Sequence, residues 1–147
     1  MPNDHDRAWN NFVLNGDYSA PDIDDDKRDA AIANRFMAGA NSGGLNSFLT
    51  ATPELSGQEV LDALSRVGAT TAAEQLHAVL ACLGEPLGPS SAEVRWATLE
   101  RLWTEDADLL DVLSEDADAE LLHALARHVD ERIDYYLVLD GRGPNAR

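Results

Sequence analysis

Three times in the middle of this chain a Ser or Thr stands three residues ahead of a Glu, and an apolar stripe at helical spacing follows. The segments are Ser56-Gly57-Gln58-Glu59, Thr71-Ala72-Ala73-Glu74 and Ser90-Ser91-Ala92-Glu93. At a helix start the hydroxyl oxygen accepts from an orphan backbone N–H, and the Glu carboxylate reaches back to the cap's own N–H. The first stripe is Val60, Leu61, Leu64 and Val67, closed by Gly68. The second is Leu76, Val79, Leu80 and Leu83, closed by Gly84. The third is Val94, Trp96, Leu99, Leu102 and Trp103. Such spacing puts each set on one helical face. No alternating β-branched run competes with it. The expected fold is all-α: one domain over residues 1–147, a bundle of about seven or eight helices around one core.

The flanks fit that reading. Trp9, Phe12 and Val13 mark a short first helix, and residues 15–25 read as a polar acidic loop. A second helix resumes near Asp26 with Ala30, Ala31, Ile32, Ala33, Phe36 and Met37 on its apolar side. The adjacent Gly43 and Gly44 are expected to let two helices meet closely. Phe48 and Leu49 are expected in the core. Beyond Trp103 the pattern stays helical through Leu109, Leu110, Val112 and Leu113. A long helix is then expected from Leu121 to about Leu139, with residues 141–147 a frayed tail.

Charge narrows function. There are 27 Asp and Glu against 11 Lys and Arg, a net of −16 in 147 residues. With 44% hydrophobic residues the acidity does not signal disorder. Between Leu102 and Ala126 the chain carries eight acids and no Lys or Arg. A solvated helix face normally mixes signs, because opposite charges one turn apart attract and like charges repel. A cation-free run repels nucleic acid and anionic membranes and attracts basic proteins. Acids three to five residues apart on a helix lie roughly 5–8 Å apart. That is close to the ~7 Å between phosphates of one DNA strand.

Catalytic and metal motifs are weak by comparison. His123 and His128 are five apart, about 140° around a helix, where a zincin pair needs four with a Glu between. The histidines, His5 and His77 included, read as surface or capping groups. No Gly-x-Ser-x-Gly or Cys–His signature is present. Asp22-Ile23-Asp24-Asp25-Asp26 and Asp106-Ala107-Asp108 echo a calcium loop, but neither has the Gly at position six. Gly43-Gly44 lacks the Lys-Ser/Thr end of a phosphate loop. No metal, no cofactor and no enzymatic activity is expected. The single cysteine, Cys82, sits in an apolar run and reads as a small buried hydrophobe. One thiol and no secretion-signal pattern suit a cytoplasmic protein.

Two segments carry a resemblance. Asn41-Ser42-Gly43-Gly44-Leu45-Asn46-Ser47-Phe48-Leu49-Thr50 resembles the Asn-Gly-Gly-Phe segment of a bacterial domain-of-unknown-function family that includes an acidic DNA-mimic protein. Ala63-Leu64-Ser65-Arg66-Val67-Gly68-Ala69 is similar to the same family's Ala-Leu-x-x-Ile-Gly-Ala step. Arg95 and the Leu110-Asp111 pair match later landmarks, and the likeness spans residues 31–129. Ser42, Leu45 and Ser47 depart from the family pattern. The resemblance implies an all-helical fold, a basic DNA-binding protein as partner, and a homodimer.

The expected function is that of an acidic, non-enzymatic binding protein that occupies the basic nucleic-acid-binding surface of a partner. The alternative is an immunity- or antitoxin-like inhibitor of a basic toxin nuclease. In either case the side chains expected to stand in for phosphates are Asp106, Asp108, Asp111, Glu115, Asp116, Asp118 and Glu120. Asp22, Asp24, Asp25 and Asp26 form a second expected patch. Neither reading calls for direct contact with nucleic acid or a membrane. A small hydrolase and a purely solubilising role for the charge are the remaining rivals.

Overall fold

The computed structural model describes residues 3–83, 86–105 and 110–139. Seven helices make up the described chain, and no strand occurs among the described residues. They are α1 (Asp4–Asn15), α2 (Asp25–Ala51), α3 (Gly57–Val67), α4 (Thr70–Leu83), α5 (Ala92–Glu105), α6 (Glu115–Asp130) and α7 (Ile133–Val138). The fold is a small all-α bundle. The 141–147 segment expected to fray, like Gly84, lies outside the described residues.

α2 is the central element. It packs against α3, α5 and α6, while α1 and α7 pair on one side and α4 lies against α3 and α6. Its buried face carries Ala30, Ile32, Ala33, Phe36 and Ala40, then Leu45, Phe48 and Leu49. The rings of Phe36 and Phe48 meet edge to face at 5.0 Å. A second aromatic centre joins Phe12 of α1 to Tyr136 of α7 at 5.3 Å.

α2 is kinked at the two glycines. Gly44 takes φ +83, a left-handed-side conformation open to glycine and strained for other residues. The close approach expected there is real, but the neighbour is a loop and not a second helix. A methyl group on Gly44 would overlap the Leu110 carbonyl oxygen. One residue on, the Leu45 N–H, freed from the helix ladder by the kink, donates to the Asp111 carbonyl at 3.1 Å.

The capping signatures divide. At α3 both arms form: the Glu59 N–H donates to Ser56 Oγ at 3.0 Å, and the Ser56 N–H to Glu59 Oε1 at 3.3 Å. α4 begins at Thr70, two residues early for a box on Thr71 and Glu74, which would start the helix at Ala72. At α5 the cap is Ser91, whose Oγ accepts from the Val94 N–H at 3.2 Å, so the expected pairing of Ser90 with Glu93 is displaced by one.

Four other expectations are corrected. Cys82 is exposed, because α4 buries Ala72, Ala73, Leu76, Val79 and Leu83 instead. Val94, Trp96 and Trp103 are exposed, because α5 turns Arg95, Leu99 and Leu102 inward. The helical run past Trp103 is interrupted: α5 ends at Glu105, residues 112–114 are irregular, and α6 starts at Glu115. The long C-terminal helix is broken at Glu131 and Arg132. That turn lets Asn11 of α1 donate to the Tyr136 carbonyl at 2.8 Å and brings Arg132 onto Asp26.

Arg95 accounts for the inward face of α5. It is 1% exposed and has no carboxylate partner among the described residues. Its guanidinium donates to the carbonyls of Leu49, Thr52, Pro53, Leu55 and Gly88 at 2.7–3.2 Å. These acceptors lie at the end of α2 and in the loops beside it, where a cation also complements the helix dipole; the Thr52 and Pro53 carbonyls accept in addition from the Leu55 and Ser90 N–H groups. Burial pulls this guanidinium's pKa below its ordinary value.

Candidate partner-binding surface

The expected phosphate-mimicking acids do not share one helix. Asp106 and Asp108 lie outside the described residues. Asp111 stands in the irregular segment ahead of α6, exposed, with its carboxylate accepting from the Val112 N–H at 2.8 Å. Glu115 and Asp116 are exposed in the first turn of α6. There they complement the positive end of the helix dipole. Ser114 caps the same turn, accepting from the Ala117 N–H at 3.2 Å.

The next two acids have internal partners. Asp118 is half-buried and accepts from Asn41 Nδ2 of α2 at 2.7 Å. Glu120 is half-buried and accepts from the Thr71 N–H at 2.7 Å. Glu120 thus supplies the N-terminal cap of α4 that Thr71 and Glu74 were expected to provide. Both acids thus have a hydrogen-bond partner within the fold, because α6 folds back along α2 and α4. Among the described residues, no Lys or Arg lies within ion-pair distance of Asp111, Glu115, Asp116, Asp118 or Glu120.

Two of the four acids of the second expected patch are paired within the fold. Asp24 pairs with Lys27 at 2.7 Å, and Asp26 with Arg132 Nε at 2.6 Å. Burial would raise the Asp26 pKa, but the Arg132 hydrogen bond and the Lys27 charge outweigh it and hold the carboxyl below its ordinary value. Lys27 also sits over the Tyr135 ring at 4.6 Å. Asp22, at φ +63, and Asp25 stay exposed.

The two acidic groups sit at opposite ends of an antiparallel helix pair. Asn41 of α2 meets Asp118 near the start of α6, and Asp26 at the start of α2 meets Arg132 just past the end of α6. Asp26 and Asn41, fifteen positions apart, are separated by about 22 Å of helix. Within that span Arg66, Arg127 and Arg132 line a cleft of about 460 Å³ together with Asp25, Asp26, Asp29 and His128. Arg66 reaches the buried Asp29 at 3.1 Å. The acids therefore do not form one continuous strip. At the α6 end Asp111, Glu115 and Asp116 are exposed without a Lys or Arg partner among the described residues, as are Asp22 and Asp25 at the other end and Asp6, Glu74, Glu93, Glu100, Glu105 and Asp134 elsewhere.

His128 corrects another expectation, since it is buried where a surface or capping role was expected. Its Nε2 and the Tyr136 hydroxyl are hydrogen-bonded at 2.7 Å. Burial, reinforced by the nearby Arg132 charge, lowers its pKa to about 4, so the ring is neutral at neutral pH. Burial raises the Tyr136 hydroxyl well above the ordinary phenol range. The histidine's position in the i, i+3, i+4 register of Leu121, Ala124, Leu125 and Val129 is the signal that could have placed it inside. His5 is exposed and pairs with Asp130 at 2.7 Å, and His77 and His123 are exposed.

Among the described residues no three or more His, Cys, Asp or Glu side chains come together in a way that could hold a metal ion. No helix among the described residues is long and apolar enough to cross a membrane. No family model, curated protein or solved structure matches this chain.

Proposed function

We propose that this chain is an acidic binding protein, without catalysis of its own, that occupies the basic nucleic-acid-binding surface of a partner protein. The observation that carries this reading is that acids of the cation-free run stay exposed and unpaired, while many acids elsewhere are paired. Asp4, Asp24, Asp26, Asp29, Asp62 and Glu59 each meet an Arg or Lys within the fold. Asp111, Glu115 and Asp116 meet none among the described residues and stay exposed. A negative surface left unmatched on a chain of net charge −16 favours positive surfaces at long range.

The test is competition. The immobilised protein is exposed at low salt to a lysate of its own source. A captured protein is then assayed for DNA binding with and without the chain. Displacement of DNA by the chain, weakened by raising the salt, supports the reading. Capture of no basic protein at low salt, or capture that leaves DNA binding intact, overturns it. A captured nuclease that loses activity identifies the immunity- or antitoxin-like form of the same role.

A further inference from the structure

On the outward flank of α5, Glu93, Trp96, Glu100 and Trp103 follow one another at steps of three or four residues. That spacing stacks them along one side of the helix, carboxylate and indole alternating turn by turn. Trp96 is 54% and Trp103 47% exposed, and Glu93 and Glu100 are exposed. Within the bundle α5 packs mainly on α2, and it turns Arg95, Leu99 and Leu102 toward it. Among the described residues neither indole has an aromatic neighbour or a cation over its face. By contrast, the Tyr135 ring is already covered by Lys27. Two half-bare indoles on so small a bundle are costly in water, and large exposed aromatics commonly mark an interface.

We infer that this flank of α5 docks an arginine-bearing segment of the partner protein, with guanidinium groups stacked on Trp96 and Trp103 and held at their edges by Glu93 and Glu100. Arginine is the cation that fits. Its planar group stacks on an indole face and forks to a carboxylate, while a lysine ammonium does neither as well. The two indoles are about 10 Å apart along the helix, the separation of two arginines seven residues apart on a partner helix. This inference rests on the reading of the chain as a binder of basic proteins and names the chemistry of its contact.

The probe is a synthetic helical peptide with arginines at two positions seven apart, followed by tryptophan fluorescence. A lysine version and a glutamine version serve as comparisons. The arginine peptide should shift or quench the emission and bind at least threefold tighter than the lysine peptide. The pair Trp96→Ala and Trp103→Ala should weaken it roughly tenfold, read by calorimetry because the signal itself is removed. Glu93→Gln with Glu100→Gln keeps both indoles and should also weaken it, which covers the case in which the double Trp variant fails to fold. Neutralising Asp111, Glu115 and Asp116 should leave peptide affinity within about threefold while weakening capture of the whole partner. If the Trp and Glu variants leave peptide affinity unchanged, or if the peptide does not bind, the inference falls and the competition result stands unaffected. If instead the protein self-associates and the Trp variants make it monomeric, the flank belongs to a second copy of this chain and the inference falls.

Discussion

The carboxylate of Glu120 accepts a hydrogen bond at 2.7 Å from the backbone N–H of Thr71. The last acid of the cation-free run is thereby committed to starting α4. Glu120→Ala should cost about 1 kcal/mol of stability, and Glu120→Gln, which keeps an acceptor oxygen, less. Urea denaturation checks both. Partner capture by the folded variants should be unchanged.

The two left-handed glycines should respond differently to the same change. Gly44 has φ +83 and no room for a methyl group beside the Leu110 carbonyl. Gly68 has φ +93 and nothing within 4 Å of where a Cβ would stand. Gly68→Ala should cost about 1 kcal/mol, the price of the backbone conformation alone. Gly44→Ala adds a backbone clash and should cost about 3 kcal/mol or more. Equal thermal shifts would remove the tight packing of the kink against residues 110–111 as the cause.

Arg95 serves five carbonyl oxygens at once. Arg95→Met removes the donors from a buried cluster of acceptors and should destabilise by about 3–5 kcal/mol. Arg95→Lys should rescue only part of this, since three donors on one nitrogen cannot span five acceptors. A lysine variant as stable as the parent would refute that account.

His128 sets a pH dependence with a definite sign. Its pKa is near 4 in the fold against 6.5 when unfolded. Between these values the unfolded chain holds the extra proton, so stability falls as pH drops from 6.5 to 4. The loss is at most about 3 kcal/mol. His5 acts in the opposite direction: its pKa is raised by the Asp130 hydrogen bond, so its contribution is present below 6.5 and lost above. Asp26, lowered from 3.8, loses its contribution only in more acid solution. His128→Gln should therefore flatten the stability profile between pH 6.5 and 4, measured by denaturant midpoints across that range. An unchanged slope would show that another group governs it.

Changing Asp111→Asn, Glu115→Gln and Asp116→Asn together should leave the circular-dichroism spectrum intact, because all three side chains are exposed. Partner affinity should fall, and its dependence on salt should become shallower, since fewer charges remain to be screened. Parallel salt plots for parent and variant would move the contact elsewhere on the protein.

The parts of this fold written in neighbouring residues could be read from the chain. The Ser56–Glu59 box is one such part, because both hydrogen bonds close within four residues. The cap of α4 was hidden, since its acceptor lies 49 residues away. The rotation of α5 was hidden for a similar reason. Hydropathy favours burying Trp96 and Trp103, but the carbonyls ending α2 require a multivalent donor, and Arg95 takes the inward place. The break at Glu131 and Arg132 contains no Gly or Pro to announce it and depends on contacts from α1 and α2. As for the candidate surface, the charge of each acid is plain in the sequence. Which acids face outward is decided by the fold-back of α6 on α2 and α4.

The hydrogen bond from the Leu45 N–H to the Asp111 carbonyl fastens the approach to α6 onto α2 just past its glycine kink. An anionic group mounted this way arrives at an encounter already oriented. Little backbone freedom remains to be surrendered on contact, so more of the electrostatic attraction is retained as affinity. Loosening this one tether should slow capture and shorten the lifetime of the complex without altering a single charge.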